Sequence, residues 1–179
     1  MRIDWLWIGE YKNLKDLTID FAEEHLITVL IGRNGTGKSN VLEAITVLFR
    51  DLIMGEDAKG NKNKPSFAYR ISYQIKDKWV RIDADPENKE PYRIKLAPYA
   101  HDAEPAPVAL SFDEAPGEAL AVSRLRDEEV GYLPKFLFGY YSGQSERMEE
   151  VFHKYLERYD KDLRAGKNPG LKRLFYALP

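Results

Sequence analysis

Residues 26–40 read LITVLIGRNGTGKSN, and the reading of this stretch decides the fold. Residues 26–31, continuously apolar and β-branched in character, run without a break into Gly32. That is the pattern of a strand buried on both faces of a parallel sheet. Gly32, Gly37, Lys38 and Ser39 then satisfy G-x-x-x-x-G-K-[ST], with Gly35 between them. Glycines let the backbone curl until its N–H groups converge on phosphate oxygens. A helix starting there adds the positive end of its dipole. Lys38 brings a full charge to the β- and γ-phosphates, and Ser39 a hydroxyl for Mg²⁺. The motif lies between a strand and an amphipathic helix, where this chemistry requires it, so the chain is expected to bind a nucleoside triphosphate.

Working outward, the helix after the loop carries Val41, Ile45, Leu48 and Leu52 as one stripe, reinforced by Leu42, Phe49 and Ile53, and Gly55 ends it. Before the loop, residues 2–8 and 14–21 alternate apolar and polar, and their short connection predicts an antiparallel pair. Beyond the helix, 56–65 is polar and reads as a surface loop. Three strands are expected at 67–75, 79–84 and 92–96, with a hairpin turn at 76–78. Residues 98–117 are proline-rich around one short apolar run, VALSF. KFLFGYY, 135–141, is a second candidate for a buried strand. A helix is predicted over 145–165, with Met148, Phe152, Tyr155, Leu156, Tyr159 and Leu163 along one side and Gly166 as its stop.

Composition narrows the class. The 179 residues are 44% apolar and 31% charged, with net charge −2, ordinary for a globular domain. That balance gives no global attraction to nucleic acid or to an acidic membrane, so any such binding must come from a local patch. The absence of cysteine excludes disulfides and thiolate metal sites, and a cytoplasmic location is expected. Asp4 and Glu10 interrupt the apolar stretch that a signal peptide needs. No apolar run approaches the roughly 18 residues of a membrane span.

The N-terminal strand pair followed by LITVLIGRNGTGKSNVLEAI resembles the opening of ABC-type ATPases of the SMC and RecF-like group, whose loop reads G-x-N-G-[ST]-G-K-S-N before an apolar-acidic LEAI. A weaker likeness, through FLFGYYSGQSERMEEVF and LKRLFYALP, is to restriction-system-associated AAA-family ATPases of bacterial defence loci. The resemblance implies an α/β P-loop NTPase: an ABC-ATPase-like N-terminal lobe spanning 1–179, with a β-rich antiparallel subdomain inserted at about 65–100. It implies ATP and Mg²⁺ as ligands, held by Gly32, Arg33, Asn34, Gly35, Thr36, Gly37, Lys38, Ser39 and Asn40.

Hydrolysis needs an acid to position Mg²⁺ and a group to orient water. Asp113 and Glu114, after VALSF, are the candidates for the acid, although Pro105, Pro107 and Pro116 crowd that run and an edge strand with an acidic turn is the alternative. Gln144, past the end of the 135–141 run, stands where family members carry a glutamine touching Mg²⁺ and the attacking water; alternatively 142–145 caps the next helix. The serine-glycine signature of the family is not found in its usual order. The expectation is a half-site completed by a homodimer partner or by a C-terminal ATPase lobe, with hydrolysis serving work on DNA in repair or in phage defence beside a nuclease. The alternatives are a self-sufficient small P-loop NTPase and a nucleotide-sensing module that never hydrolyses. Lys59, Lys62, Lys64, Arg70, Lys76, Lys78 and Arg81 are the candidates for DNA backbone contact. Lys154, Arg158, Lys161 and Arg164 read as an exposed helix face. His25, His101 and His153 have no ligand-like neighbours, so no metal beyond Mg²⁺ is expected.

Overall fold

A computed structural model of the chain describes residues 1–21, 27–57, 59–99, 111–140, 147–169 and 172–177. The alternation of the first twenty residues folds as a hairpin, β1 (Arg2–Tyr11) and β2 (Leu14–Asp20), paired from Trp5↔Asp20 to Tyr11↔Leu14. β1 runs three residues past its predicted end because the chain reverses within two residues, Lys12 taking φ +55°. The three strands expected downstream form as β3 (Tyr69–Ile75), β4 (Lys78–Ala84) and β5 (Tyr92–Pro98), followed by a short β6 (Glu118–Ala119). All pair antiparallel, and β3 joins β1, so one six-stranded sheet results in the order β2-β1-β3-β4-β5-β6.

Period-two alternation gives the sheet two unlike faces. Leu6, Ile8, Tyr69, Ile71, Tyr73, Val80 and Ile82 are fully buried on the inner one. α1 (Lys38–Met54) covers that face with Val41, Ala44, Val47, Leu48, Phe49 and Leu52. The Phe49 ring meets Tyr73 edge-on at 5.7 Å. The predicted stripe is rotated: Leu42 is 52% exposed, while Ala44 and Val47 are buried. Ala44 and Val47 join the core beside the larger residues, which a count of large apolar residues does not register. Gly55 ends the helix as expected, its N–H donating to the Asp51 carbonyl at 2.9 Å.

Just before its last turn α1 holds a buried ion pair. Arg50 Nη2 donates to Asp51 Oδ1 at 2.6 Å, and the Ser66 N–H donates to Asp51 Oδ2 at 2.8 Å. α1 has no basic residue in its last turn. Arg126, at the end of α2 (Val122–Arg126), supplies the cation instead, donating to the Leu52 carbonyl at 2.8 Å.

On its other side α1 packs against α3 (Arg147–Arg164) and the parallel pair β7 (Leu137–Tyr140) and β8 (Leu174–Ala177), a strand–helix–strand unit. Val151, Phe152 and Leu174 join the core there. Gly166, at φ +70°, follows the helix end. Lys154 and Arg158 lie 3.5 and 3.7 Å from Glu56, so half of the basic face expected to be free ties α3 to the loop after α1.

Two strand expectations need correction. Residues 27–31, predicted as a buried strand, form none, and Ile27, Val29 and Ile31 are 78%, 72% and 91% exposed. Of the described residues of KFLFGYY, 137–140 form a strand, and Phe136, Phe138 and Tyr140 are exposed; Tyr141 lies outside the described residues. Burial of such a strand requires neighbouring strands along its edges and packed layers over both faces. Among the described residues β7 pairs only with β8, and 27–31 pairs with nothing. Leu26 lies outside the described residues. No helix among them is long and apolar enough to cross a membrane.

Candidate nucleotide-binding site

The phosphate loop sits at the N-terminus of α1, and its shape follows from its glycines. Gly35 and Gly37 take φ +83° and +101°, a region that a side chain disfavours. At Gly37 a Cβ would also stand 2.7 Å from Leu14 Cδ2, so a side chain there would have to push Leu14 aside as well. Thr36 closes the turn, its hydroxyl donating to the Arg33 carbonyl at 2.9 Å. Lys38 folds back over the loop and donates to the carbonyls of Gly32 and Arg33 at 2.6 and 2.7 Å. No side chain caps α1 and its first turn holds no acid. An end with a lysine above it, no competing cap and no repelling carboxylate suits a phosphate. Ser39, Arg33 and Asn34 are exposed beside it, and Asn40 is half-buried.

The second wall of the site comes from the turn between β1 and β2. Asn13, Leu14 and Lys15 face Thr36, Gly37 and Lys38 across a cleft of about 300 Å³. Two contacts anchor the turn to α1: Tyr11 Oη donates to Glu43 Oε1 at 2.7 Å, and the Lys12 ammonium pairs with the same carboxylate. Glu43 is 5% exposed, so the acid of the LEAI run is a buried anchor for the hairpin. Asn13 accepts from Asn40 Nδ2 at 2.5 Å and donates to the Gly35 carbonyl at 3.3 Å. Sequence reasoning did not assign Tyr11, Lys12, Asn13 or Glu43 to the site. The available signals were a polar two-residue reversal and an acid in an otherwise apolar helical turn.

The candidate catalytic acids are not brought to this loop. Asp113 and Glu114 lie in a turn against β5, where Lys95 Nζ donates to the Asp113 and Ala115 carbonyls at 2.9 and 2.7 Å. β5 is four strands from β2, roughly 19 Å at about 4.8 Å per strand. The Ser111 hydroxyl and N–H donate to Glu114 and hold its carboxyl below the usual range. Gln144, His25 and His101 lie outside the described residues. His153 is exposed, 3.5 Å from Glu157. Among the described residues no group of three His, Asp or Glu is placed to hold a metal.

Three of the seven cations considered for DNA contact, Arg70, Lys76 and Arg81, are engaged within the fold. Arg81 Nε lies 3.2 Å from Asp83, and Arg70 Nε 3.7 Å from it. Arg70 also stacks over Trp7 at 4.6 Å. Lys76 donates to the Val130 carbonyl at 2.7 Å. Trp5 is buried, and Trp7 is half-buried with its indole N–H on Asp16, so both pack rather than form an open platform.

The loop is that of a nucleotide-binding ATPase domain, the mixed helices and sheet are consistent with one, and the comparison with protein families agrees. The AAA ATPase domain family matches residues 1–164, and the chain belongs to it. The chain is also similar to the DNA replication and repair proteins RecF of two strains of Desulfitobacterium hafniense, DSM 10664 / DCB-2 and Y51. Each is 42% identical over 48 residues, covering 27% of this chain and 13% of the relative. The chain thus spans a small part of the length of the curated relatives it matches. No solved structure matches it. The AAA/ABC-type resemblance read from the loop stands.

Proposed function

We propose that this chain is the ATP-binding lobe of an SMC/RecF-like ATPase, with hydrolysis completed by a C-terminal lobe or a second subunit. The observation that carries this reading is a phosphate loop with Lys38 poised over it and no acid among the described residues beside it. Gly32 to Asn40 would hold the triphosphate. Ser39 would give Mg²⁺ one ligand, the rest coming from phosphate oxygens and water. When bound, Mg²⁺ would neutralise the developing charge on the phosphates. Lys38 would leave the Gly32 and Arg33 carbonyls for phosphate oxygens, a stronger, charge-assisted pairing. Gln144 remains a candidate for orienting water, and Asp113 and Glu114 would need a route of many ångströms to the loop. That distance argues against a self-sufficient small NTPase.

Ile27, Val29, Ile31 and Phe138 are each largely exposed, and large apolar side chains left open to water in this way support a covering lobe or subunit. Lysine in place of Phe138 is therefore expected to reduce self-association of the isolated chain, measured by sedimentation velocity over a range of concentrations. A wild-type chain that stays monomeric at high concentration would count against the covered face. Work on DNA comes from the names of the RecF relatives, and a nuclease partner from the likeness to defence-locus ATPases.

The test is phosphate release from ATP–Mg²⁺ at several protein concentrations, with Lys38→Ala as background. Binding without release is expected from the isolated chain, and release is expected once the completing lobe or partner is added. Release by the isolated chain at a rate independent of its concentration would show a complete site within it and overturn the half-site reading. Binding that remains without release, even with the partner present, would favour a nucleotide sensor.

A further inference from the structure

We infer that Asn13, outside the loop motif, is a positioning residue that holds the crest of the phosphate loop to the first turn of α1. The inference rests on the nucleotide-binding reading of residues 32–40 and adds to it a group from the opposite wall. Its side-chain amide makes one contact on each side of Gly37: Oδ1 accepts from Asn40 Nδ2 at 2.5 Å, and Nδ2 donates to the Gly35 carbonyl at 3.3 Å. Gly37 gives this approach its room, since a Cβ there would stand 3.2 Å from Asn13 Oδ1.

The chemistry selects an amide. The partner on α1 is a donor and the partner on the loop is an acceptor, so the bridging group must accept with one atom and donate with the other. A carboxylate would accept from Asn40 but meet the Gly35 carbonyl with a second acceptor, and would add negative charge beside a phosphate site. Alanine offers neither contact.

The consequence for the loop is orientational. A peptide plane carries its C=O and N–H on opposite edges, so fixing a carbonyl fixes the plane. Lys38 holds the carbonyls of Gly32 and Arg33, and Asn13 holds that of Gly35. A loop set in this way has less ordering to do when phosphate arrives, and affinity rises by that difference. The turn does not depend on Asn13 for its place, because Tyr11 and Lys12 fasten it to Glu43. Removing the amide should therefore loosen the loop and leave the hairpin standing.

The experiment is titration with a fluorescent ATP analogue and Mg²⁺ for wild type, Asn13→Ala, Asn13→Asp, Asn40→Ala, the Asn13→Ala/Asn40→Ala double variant and Lys38→Ala. Amide hydrogen exchange over residues 33–41 is followed in parallel without nucleotide. Asn13→Ala should weaken binding about fivefold to tenfold, the worth of one or two neutral hydrogen bonds. Asn13→Asp should weaken it at least as much, and the double variant should be no weaker than Asn13→Ala alone, as for residues acting as a unit. Loop amides should exchange faster in Asn13→Ala at unchanged Tm. Where Asn13→Ala melts early, the isosteric Asn13→Asp carries the test. Unchanged affinity and exchange, or effects of Asn13→Ala and Asn40→Ala that simply add, overturn the inference. Wild-type binding by Lys38→Ala would sink the nucleotide reading instead, and the exchange data, which need no nucleotide, would still decide on Asn13.

Discussion

Lys38→Ala should weaken binding of ATP–Mg²⁺ by about 100-fold or more while leaving Tm within a few degrees of wild type. Hydrogen bonds to charged groups are each worth about 1.5–3 kcal/mol, and two such bonds to phosphate oxygens amount to at least two decades of affinity. The fold loses little, because among the described residues the Lys38 ammonium hydrogen-bonds the Gly32 and Arg33 carbonyls at the protein surface. The check is a nucleotide titration at fixed ionic strength alongside a thermal melt. Wild-type affinity in this variant would remove the phosphate-loop assignment, and a large drop in Tm would mean that Lys38 serves the fold.

Asp51→Ala should be the most damaging change to the fold, at about 3–5 kcal/mol, the usual cost of breaking a buried pair from one side. Asp51 is fully buried, and its loss leaves Arg50, 7% exposed, and the Ser66 N–H without their carboxylate. For a domain of this size that is on the order of 10 °C in Tm. The pH dependence has a definite sign. Burial pushes the Asp51 carboxyl above the usual aspartate range, and the Arg50 charge and the Ser66 contacts pull it only partly back. A carboxyl with a raised folded value binds its proton more tightly when folded. Its contribution to stability is therefore fully present below the ordinary aspartate value and is lost as pH rises through the raised one. Urea midpoints across the acid range should show wild type gaining on Asp51→Asn as pH falls. A constant difference would show that the carboxyl does not titrate differently on folding.

What the sequence could disclose follows from how local each feature is. The loop was legible because its demands lie within eight consecutive residues: turns at Gly35 and Gly37, a lysine able to reach back, and a helix beginning at once. The β1–β2 hairpin was legible for the same reason. The facing wall was not, since Asn13 meets Asn40 across 27 positions and Tyr11 meets Glu43 across 32. Nothing in their spacing marks them as neighbours. Residues 27–31 and Phe138 failed in the opposite direction: their composition states what environment they suit, while burial depends on strands that no described part of the chain supplies. Asp113 and Glu114 matched a pattern of residue types, but the sheet order sets their turn beside β5, far from β2.

The uncovered stretch before the loop also bears on how the chain keeps in solution. LITVLI is six residues of high β-propensity with no charge and no proline, the composition of segments that stack into cross-β fibrils. Native proteins usually keep such a window buried or flank it with charged gatekeepers. Here its described part, from Ile27 to Ile31, lies largely open to solvent in the folded state. Growth of aggregates therefore needs no prior unfolding. The storage lifetime of the isolated chain is therefore expected to fall with concentration and to respond to a charge placed in that window more than to a stabilised core.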